Sequence, residues 1–375
     1  MSLPTSLAFT DEQEELRRTM RRFCEQQSPS AEVRRLMAST EGYNPAVWNQ
    51  MASQIGLQSL IIPEDYGGAG LGYVELAIVM EEMGRTLMCS PYYSTMAMAT
   101  NALLAGGDED ACATYLPSIA TGETIATLAL TEDSGRWTED AVELRAELSG
   151  SGWQLDGHKS FVLDGAIANL ILVAGRSASG VSLFAVEGEP SGMRRTPLPT
   201  LDQTRKLARL EFGHTPARLV GAEGQAWPVI ARALDLAAIA LAAEGVGGAQ
   251  RCLDMSVDYA KVRYQFGRPI GSFQIIKHKC ADMLVQVESA RSAAQYAAFA
   301  VAEDSAEVPA MACLSKATCS DAYFFNAAEN IQVHGGIGFT WDHDAHLYFK
   351  RAKSSQLFLG DSAFHREQLA QRIGV

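Results

Sequence analysis

Arg263, Gln265 and Gln274 stand on either side of Gly267-Arg268-Pro269, within YAKVRYQFGRPIGSFQ (259–274). A helical pattern breaks at the glycine and resumes from Phe273. Where a helix restarts, its first amides lack partners and its dipole favours an anion. Arginine adds a rigid fork of donors that matches a pyrophosphate. The spacing predicts a seat for a phosphate-bearing ligand. The plainer alternative is a helix–helix turn with solvated arginines.

Three stretches of different character must position that seat. Residues 1–122 read as a helical domain: Thr10-Asp11-Glu12-Gln13 is a capping box opening a helix that buries Leu16, Met20 and Phe23, and further helices follow near 45–56 and 73–84. Residues 123–221 change to short runs of period near two, TIATLAL (124–130), AVELRAEL (141–148), WQLDG (153–157), NLILVAGR (169–176), VSLFAVE (181–187) and KLARLEF (206–212), which predict a compact antiparallel β-domain. Residues 222–375 return to long, Ala-rich helices, at about 226–263, 273–302, 309–333 and 362–371, which predict a bundle buried on several sides.

Composition narrows the function further. A chain of 375 residues is long for one core. A net charge of −13 repels nucleic acid and anionic membranes, so a phosphate-bearing ligand needs a local basic pocket. The seven cysteines are scattered and form no CxxC, which predicts a reducing cytoplasm and neither zinc nor disulfides. Acidic residues at 11, 12, 14 and 15 argue against a signal peptide, and the longest apolar run, Leu236 to Ala243, is too short to span a bilayer. His343, Asp344 and His346 form no metal-ligand pattern with a second cluster, so a structural role or contact with a cofactor is the expectation for them and for His334.

IIPEDYGGAGLG (61–72), LALTE (128–132), YQFGRPIGSFQ (264–274), IQVHGGIGFT (331–340) and KRAKSSQLFLGD (350–361) resemble, in order and spacing, the signatures of the acyl-CoA dehydrogenase family. The resemblance implies an α+β fold: an N-terminal all-α domain, a middle antiparallel β-domain and a C-terminal four-helix bundle. It implies FAD at a subunit interface of a tetramer, an acyl-CoA substrate, a trans-2-enoyl-CoA product and electron-transferring flavoprotein or a similar acceptor. A thioester α-proton is very weakly acidic, so a carboxylate must take it while donors stabilise the enolate-like oxygen. The β-hydride goes to the flavin, which carries the redox chemistry.

Carried over by position, Arg263, Gln265, Phe266 and Gln274 are expected at FAD across a dimer interface. Gln332, Gly335 and Gly336 are expected at its other end, with Thr131 and Phe161 beside the flavin ring. Three departures stand out. The usual glycine-serine loop after LALTE reads DSGRWTED (133–140). The family's tryptophan-threonine pair becomes Phe161 and Leu163. The catalytic glutamate is replaced by Leu359 in the closing segment and by Ala237 on the long helix.

Two acids remain as candidate bases. Glu244 lies seven residues beyond Ala237. It therefore projects from nearly the same helical stripe, roughly 10 Å further along. It reads either as a base sequestered from water or as a packing acid satisfied by a hydroxyl or an arginine. Asp361 is the other candidate, and a contact with a ribityl hydroxyl is its alternative. The backbone N–H of Leu359 remains available to the thioester oxygen whatever its side chain. Three organisations follow: a homo-oligomer using one of these acids, the smaller partner of a mixed tetramer whose companion supplies the base, or a binding protein that lost the chemistry.

Overall fold

The computed structural model describes residues 8–150 and 152–375. Its helices are α1 (Asp11–Gln27), α2 (Ser30–Ala38), α3 (Pro45–Gln50), α4 (Tyr73–Arg85), α5 (Asn101–Gly106), α6 (Glu109–Ala120), α7 (Ala226–Val262), α8 (Gln274–Ala302), α9 (Val308–His334), α10 (Ala345–Leu357) and α11 (Ser362–Ile373). Between α6 and α7 run β1 (Ala126–Ala129), β2 (Arg145–Ser149), β3 (Gly152–Leu163), β4 (Leu170–Ser177), β5 (Gly180–Glu187), β6 (Met193–Leu198) and β7 (Leu207–Val220). Two short strands, β8 (Tyr264–Gln265) and β9 (Arg268–Pro269), separate α7 from α8. Among the described residues no helix is long and apolar enough to cross a membrane.

Two compact units emerge. One comprises the chain up to Arg34, Tyr73–Met88 and Ala238–Val375; the other comprises Arg35–Gly72 and Cys89–Ala237. The helical N-terminal third is thus divided between them.

The first unit is a helical bundle. α1 starts with the capping box: Gln13 donates its amide to Thr10 Oγ1, and Thr10 donates its amide to Gln13 Oε1. Arg21 on α1 donates two bonds to Glu82 on α4, at 3.0 and 2.7 Å. α4 and α7 meet backbone to backbone. A Cβ at Gly84 would lie 2.1 Å from the Glu244 carbonyl oxygen, and one at Gly247 would lie 1.8 Å from that of Glu81. Small side chains (Ala242, Val246, Ala290, Ala294, Cys319 and Ala322) fill the space between α7, α8 and α9. Alanine-rich stripes allow this close approach, since each contact removes apolar surface from water without needing room for long side chains.

The second unit is built on a seven-stranded sheet whose ladder passes β4-β2-β3-β7-β5 and returns from β5 to β4. β6 pairs with β7, and β1 lies at the side of β4. The ladders are antiparallel except where β1 and β2 meet β4. β1 runs parallel to β4, which the chain reaches by way of β2 and β3 instead of turning back in a hairpin. β6, absent from the alternating runs, reads MRRTPL and is an edge strand largely open to solvent. Residues 93–100 form a fully buried π-helical segment against β1, with Thr95 Oγ1 both donating to the Ala126 carbonyl and accepting from the Ala126 amide.

Candidate active site

The cationic elbow is a β-hairpin rather than a simple helix–helix turn. Tyr264 pairs with Pro269 and Gln265 with Arg268. The two turn residues, Phe266 (φ 51°) and Gly267 (φ 77°), both adopt left-handed backbone, as a type I′ turn requires. Arg268 stacks its guanidinium 4.2 Å above the Phe273 ring, and Phe266 meets the same ring edge-on. Arg263, Gln265, Phe266 and Gln274 are all exposed. Gln265 donates to the Tyr264 carbonyl, and Gln274 bonds the ring of His278. α8 begins at Gln274 without a side-chain cap, so its first-turn amides have no side-chain acceptor.

The glycine motif follows α9. Gly335 adopts φ 65°, and a side chain at Gly335 or Gly336 would meet nothing within 4 Å. Next to it in the chain, His334 stacks on Tyr259 at 4.3 Å and meets His343 at a tilt, with ring centroids 4.4 Å apart. Trp341 stacks on His346 at 4.8 Å. Burial lowers the pKa of all three histidines, with neighbouring charges as smaller contributions. Among the described residues no group of three or more His, Cys, Asp or Glu is placed to hold a metal ion. Gln332 is exposed on the last turn of α9. These surfaces fit a long diphosphate cofactor: exposed donors at Arg263 and Gln274, uncapped helix amides, and a backbone at 335–336 with no side chain in the way.

The closing segment joins α10 to α11. Leu359 is left-handed (φ 63°) with its side chain buried, and its amide has no acceptor among the described residues. Asp361 is the N-cap of α11, accepting from the Phe364 amide at 2.8 Å. Glu244 lies buried on α7 and accepts from Arg351 of α10, itself almost fully buried. Sequence reasoning left open an arginine partner for Glu244 but did not single out Arg351. A buried acid needs a partner, but nothing in the sequence spacing points to an arginine 107 residues away on another helix.

In the second unit, Thr131 is buried and donates its hydroxyl to the Ser160 carbonyl at 2.7 Å, so its proton is already used. Phe161 sits at a register shift between β3 and β7, with φ 60°, and its ring is exposed. A bulge re-aims one side chain out of the ladder in this way. Leu163 is buried, and its carbonyl accepts from Thr127. The loop that replaces the glycine-serine motif is fastened down: Asp133 accepts from Ser160 Oγ (2.7 Å) and Arg209 (2.6 Å), and lies 3.1 Å from His158 Nε2.

Beneath that loop lies a buried pair that the sequence reading missed. Lys159 donates to Glu132 at 2.7 Å and to the Leu130 carbonyl at 2.9 Å. Glu132 also accepts the amides of Glu143 and Leu144. Burial pushes Lys159 down to about 8 against the pull of Glu132. For Glu132, burial acts upward but is outweighed by the charge and hydrogen bond of Lys159 and the two amides, so its carboxyl is held below the ordinary range.

Comparison with known proteins identifies the family. The family model of the acyl-CoA dehydrogenase N-terminal domain matches residues 10–123, and that of the C-terminal domain matches residues 224–374. The chain is 37% identical over 352 residues to the acyl-CoA dehydrogenase IpdE2 of Mycobacterium tuberculosis, covering 93% of each. The ChsE4-ChsE5 complex from Mycobacterium tuberculosis contains a chain of TM-score 0.90 and 26% identity, matched over 99% of both chains. The Tcur3481-Tcur3483 steroid ACAD contains one of TM-score 0.87 and 29% identity, matched over 97% of this chain and 98% of that one. Flavin use goes with this kinship. By sequence and by fold, the chain belongs to the acyl-CoA dehydrogenase family.

Proposed function

We propose that this chain takes part in the FAD-dependent α,β-dehydrogenation of an acyl-CoA thioester to its trans-2-enoyl-CoA, and that the base comes from a second, different chain. The observation that carries the finer reading is that both acids of this chain near the family positions are engaged. Glu244 is bonded to Arg351, and Asp361 caps α11. Leu359 holds the place of the usual base and offers only its amide.

The roles of the chain's own groups follow from chemistry. The Leu359 N–H receives the thioester oxygen and stabilises the enolate-like charge as the α-proton leaves. Arg263 and Gln274, with the first amides of α8, hold the cofactor's diphosphate; Gly335, Gly336 and Gln332 receive its other end. When bound, FAD supplies the two-electron acceptance that no side chain provides. Phe161 offers an exposed apolar ring, and Thr131, already donating, acts only as an acceptor.

An exposed apolar face supports association. Val262, Tyr264, Phe266, Ile275, Leu284 and Val285 are large, apolar and exposed around the elbow and the start of α8. Such a patch marks a protein interface. Two of the similar structures are named as two-component assemblies, and we assign this chain the corresponding place in a mixed tetramer, with electron-transferring flavoprotein or a similar carrier as oxidant. The free thiols fit a reducing cytoplasm.

Co-expression with a neighbouring dehydrogenase-like reading frame tests the reading. The expected result is a yellow mixed tetramer whose flavin is bleached by acyl-CoA, while the lone chain does not bleach. A lone chain that turns over acyl-CoA would overturn the second-chain base, and a colourless product in both preparations would overturn the dehydrogenase reading itself.

A further inference from the structure

We propose that Lys316 is a positioning residue for the thioester, holding the loop that presents the Leu359 amide. The inference rests on the reading of that amide given above. Lys316 lies on α9 in the run CLSKATC and is 1% exposed. Its ammonium donates to Ser320 Oγ at 2.9 Å, to the Gln356 carbonyl at 3.3 Å and to the Gly360 carbonyl at 3.2 Å. The last two acceptors bracket Leu359. The final carbonyls of α10 lack intrahelical partners, and a cation is favoured there by the helix dipole. Gly360 lies beyond the helix, so one ammonium ties both ends of the turn.

The turn needs holding. A leucine in left-handed backbone is disfavoured and persists only where its surroundings over-determine it. His365 grips the same residue from α11, donating from Nε2 to the Leu359 carbonyl at 3.0 Å. Burial, and then the charge of Lys316, push the His365 pKa down to about 4, so the ring stays a neutral donor at neutral pH. Phe358 and Gly360 donate their amides to Ser354 and Leu357. Between them the Leu359 amide is left without an acceptor among the described residues. A lysine buried at such cost, with two of its ammonium's bonds on carbonyls to either side of Leu359, fits a role in fixing that turn.

The experiment compares a CoA thioester with its thioether analogue, in which CH2 replaces the carbonyl. Binding to the flavin-loaded protein, with its companion chain wherever loading requires it, is read by the change in flavin absorbance. The wild type is expected to prefer the thioester by about tenfold, the worth of one good hydrogen bond. In Lys316→Met that ratio falls toward one, while thioether affinity and flavin content stay unchanged, and Lys316→Arg restores most of the ratio. Lys316→Gln, which keeps donors without charge, serves where the Met variant does not fold, and is expected to retain part of it. A wild type with no preference would overturn the Leu359 reading. A wild-type preference kept in full by the Met or Gln variant would overturn the role of Lys316 alone. Failure of both variants to fold would also overturn it, because the ammonium would then hold the bundle and not the loop.

Discussion

Arg351 and Glu244 meet as an ion pair inside the helical bundle, α10 against α7, with both side chains almost fully withdrawn from water. Removing one member of such a pair leaves the other charge buried alone, at a cost of about 3–5 kcal/mol. Glu244→Gln is therefore expected to lower the unfolding midpoint markedly while leaving flavin bleaching per bound flavin intact in the mixed tetramer. Bleaching lost without any change in stability would return Glu244 to the role of base.

Arg263 carries an exposed guanidinium at the elbow. Arg263→Ala removes a charge-assisted contact with a diphosphate, worth roughly 1.5–3 kcal/mol. FAD affinity is expected to fall by at least tenfold in fluorescence titration, and to fall less at high salt, where the wild type is weakened too. Equal affinity of variant and wild type would remove Arg263 from the cofactor site.

The Lys159–Glu132 pair makes the β-sheet unit sensitive to acid. The folded-state pKa of Glu132 lies below its ordinary value of 4.5. Its contribution is therefore fully present above about pH 4.5 and is lost as pH falls through the lower, folded value. Lys159 has the same sign in a higher window: with a folded value of about 8 against an ordinary 10.5, its charging is penalised as pH falls between those values, above the acid range. Stability followed by chemical denaturation between pH 7 and 3 should fall more steeply in the wild type than in a Lys159→Met, Glu132→Gln double variant. Parallel curves would deny the pair that role.

Two glycine-to-alanine changes should have opposite signs. Alanine in a helix gains up to about 1 kcal/mol over glycine. At Gly106, at the end of α5, the new methyl would lie 3.7 Å from Val229, an ordinary contact, so the gain survives. At Gly247 it would lie 1.8 Å from a backbone oxygen of α4. Overpacking costs about 1–3 kcal/mol or more, and backbone cannot step aside, so the loss wins. Thermal melts of the two variants check the pair.

Much of this was legible in the residues because local signals and tertiary structure agreed. The capping box at Thr10, the long Ala-rich helices and the alternating runs each describe one segment's own preference. β6 was not legible, since MRRTPL carries a proline and no apolar alternation, and an edge strand needs neither. The elbow at 264–269 was read as a break in helix; its hairpin depends on Phe266 accepting left-handed backbone, which propensity disfavours and only the surrounding structure enforces. The same holds for Leu359 and Phe161. The partners of Glu244, Lys159 and Lys316 come from elements far apart in sequence, and no spacing rule connects them.

The hairpin tip has one more consequence. Phe266 is 92% exposed, held rigidly outward by its turn, amid other apolar side chains. A protomer made in excess of whatever shelters that tip carries a sticky knob into a crowded solution. Soluble yield should therefore track the molar ratio of the two products during synthesis, rising to a plateau at parity and collapsing into aggregate when this chain is made alone.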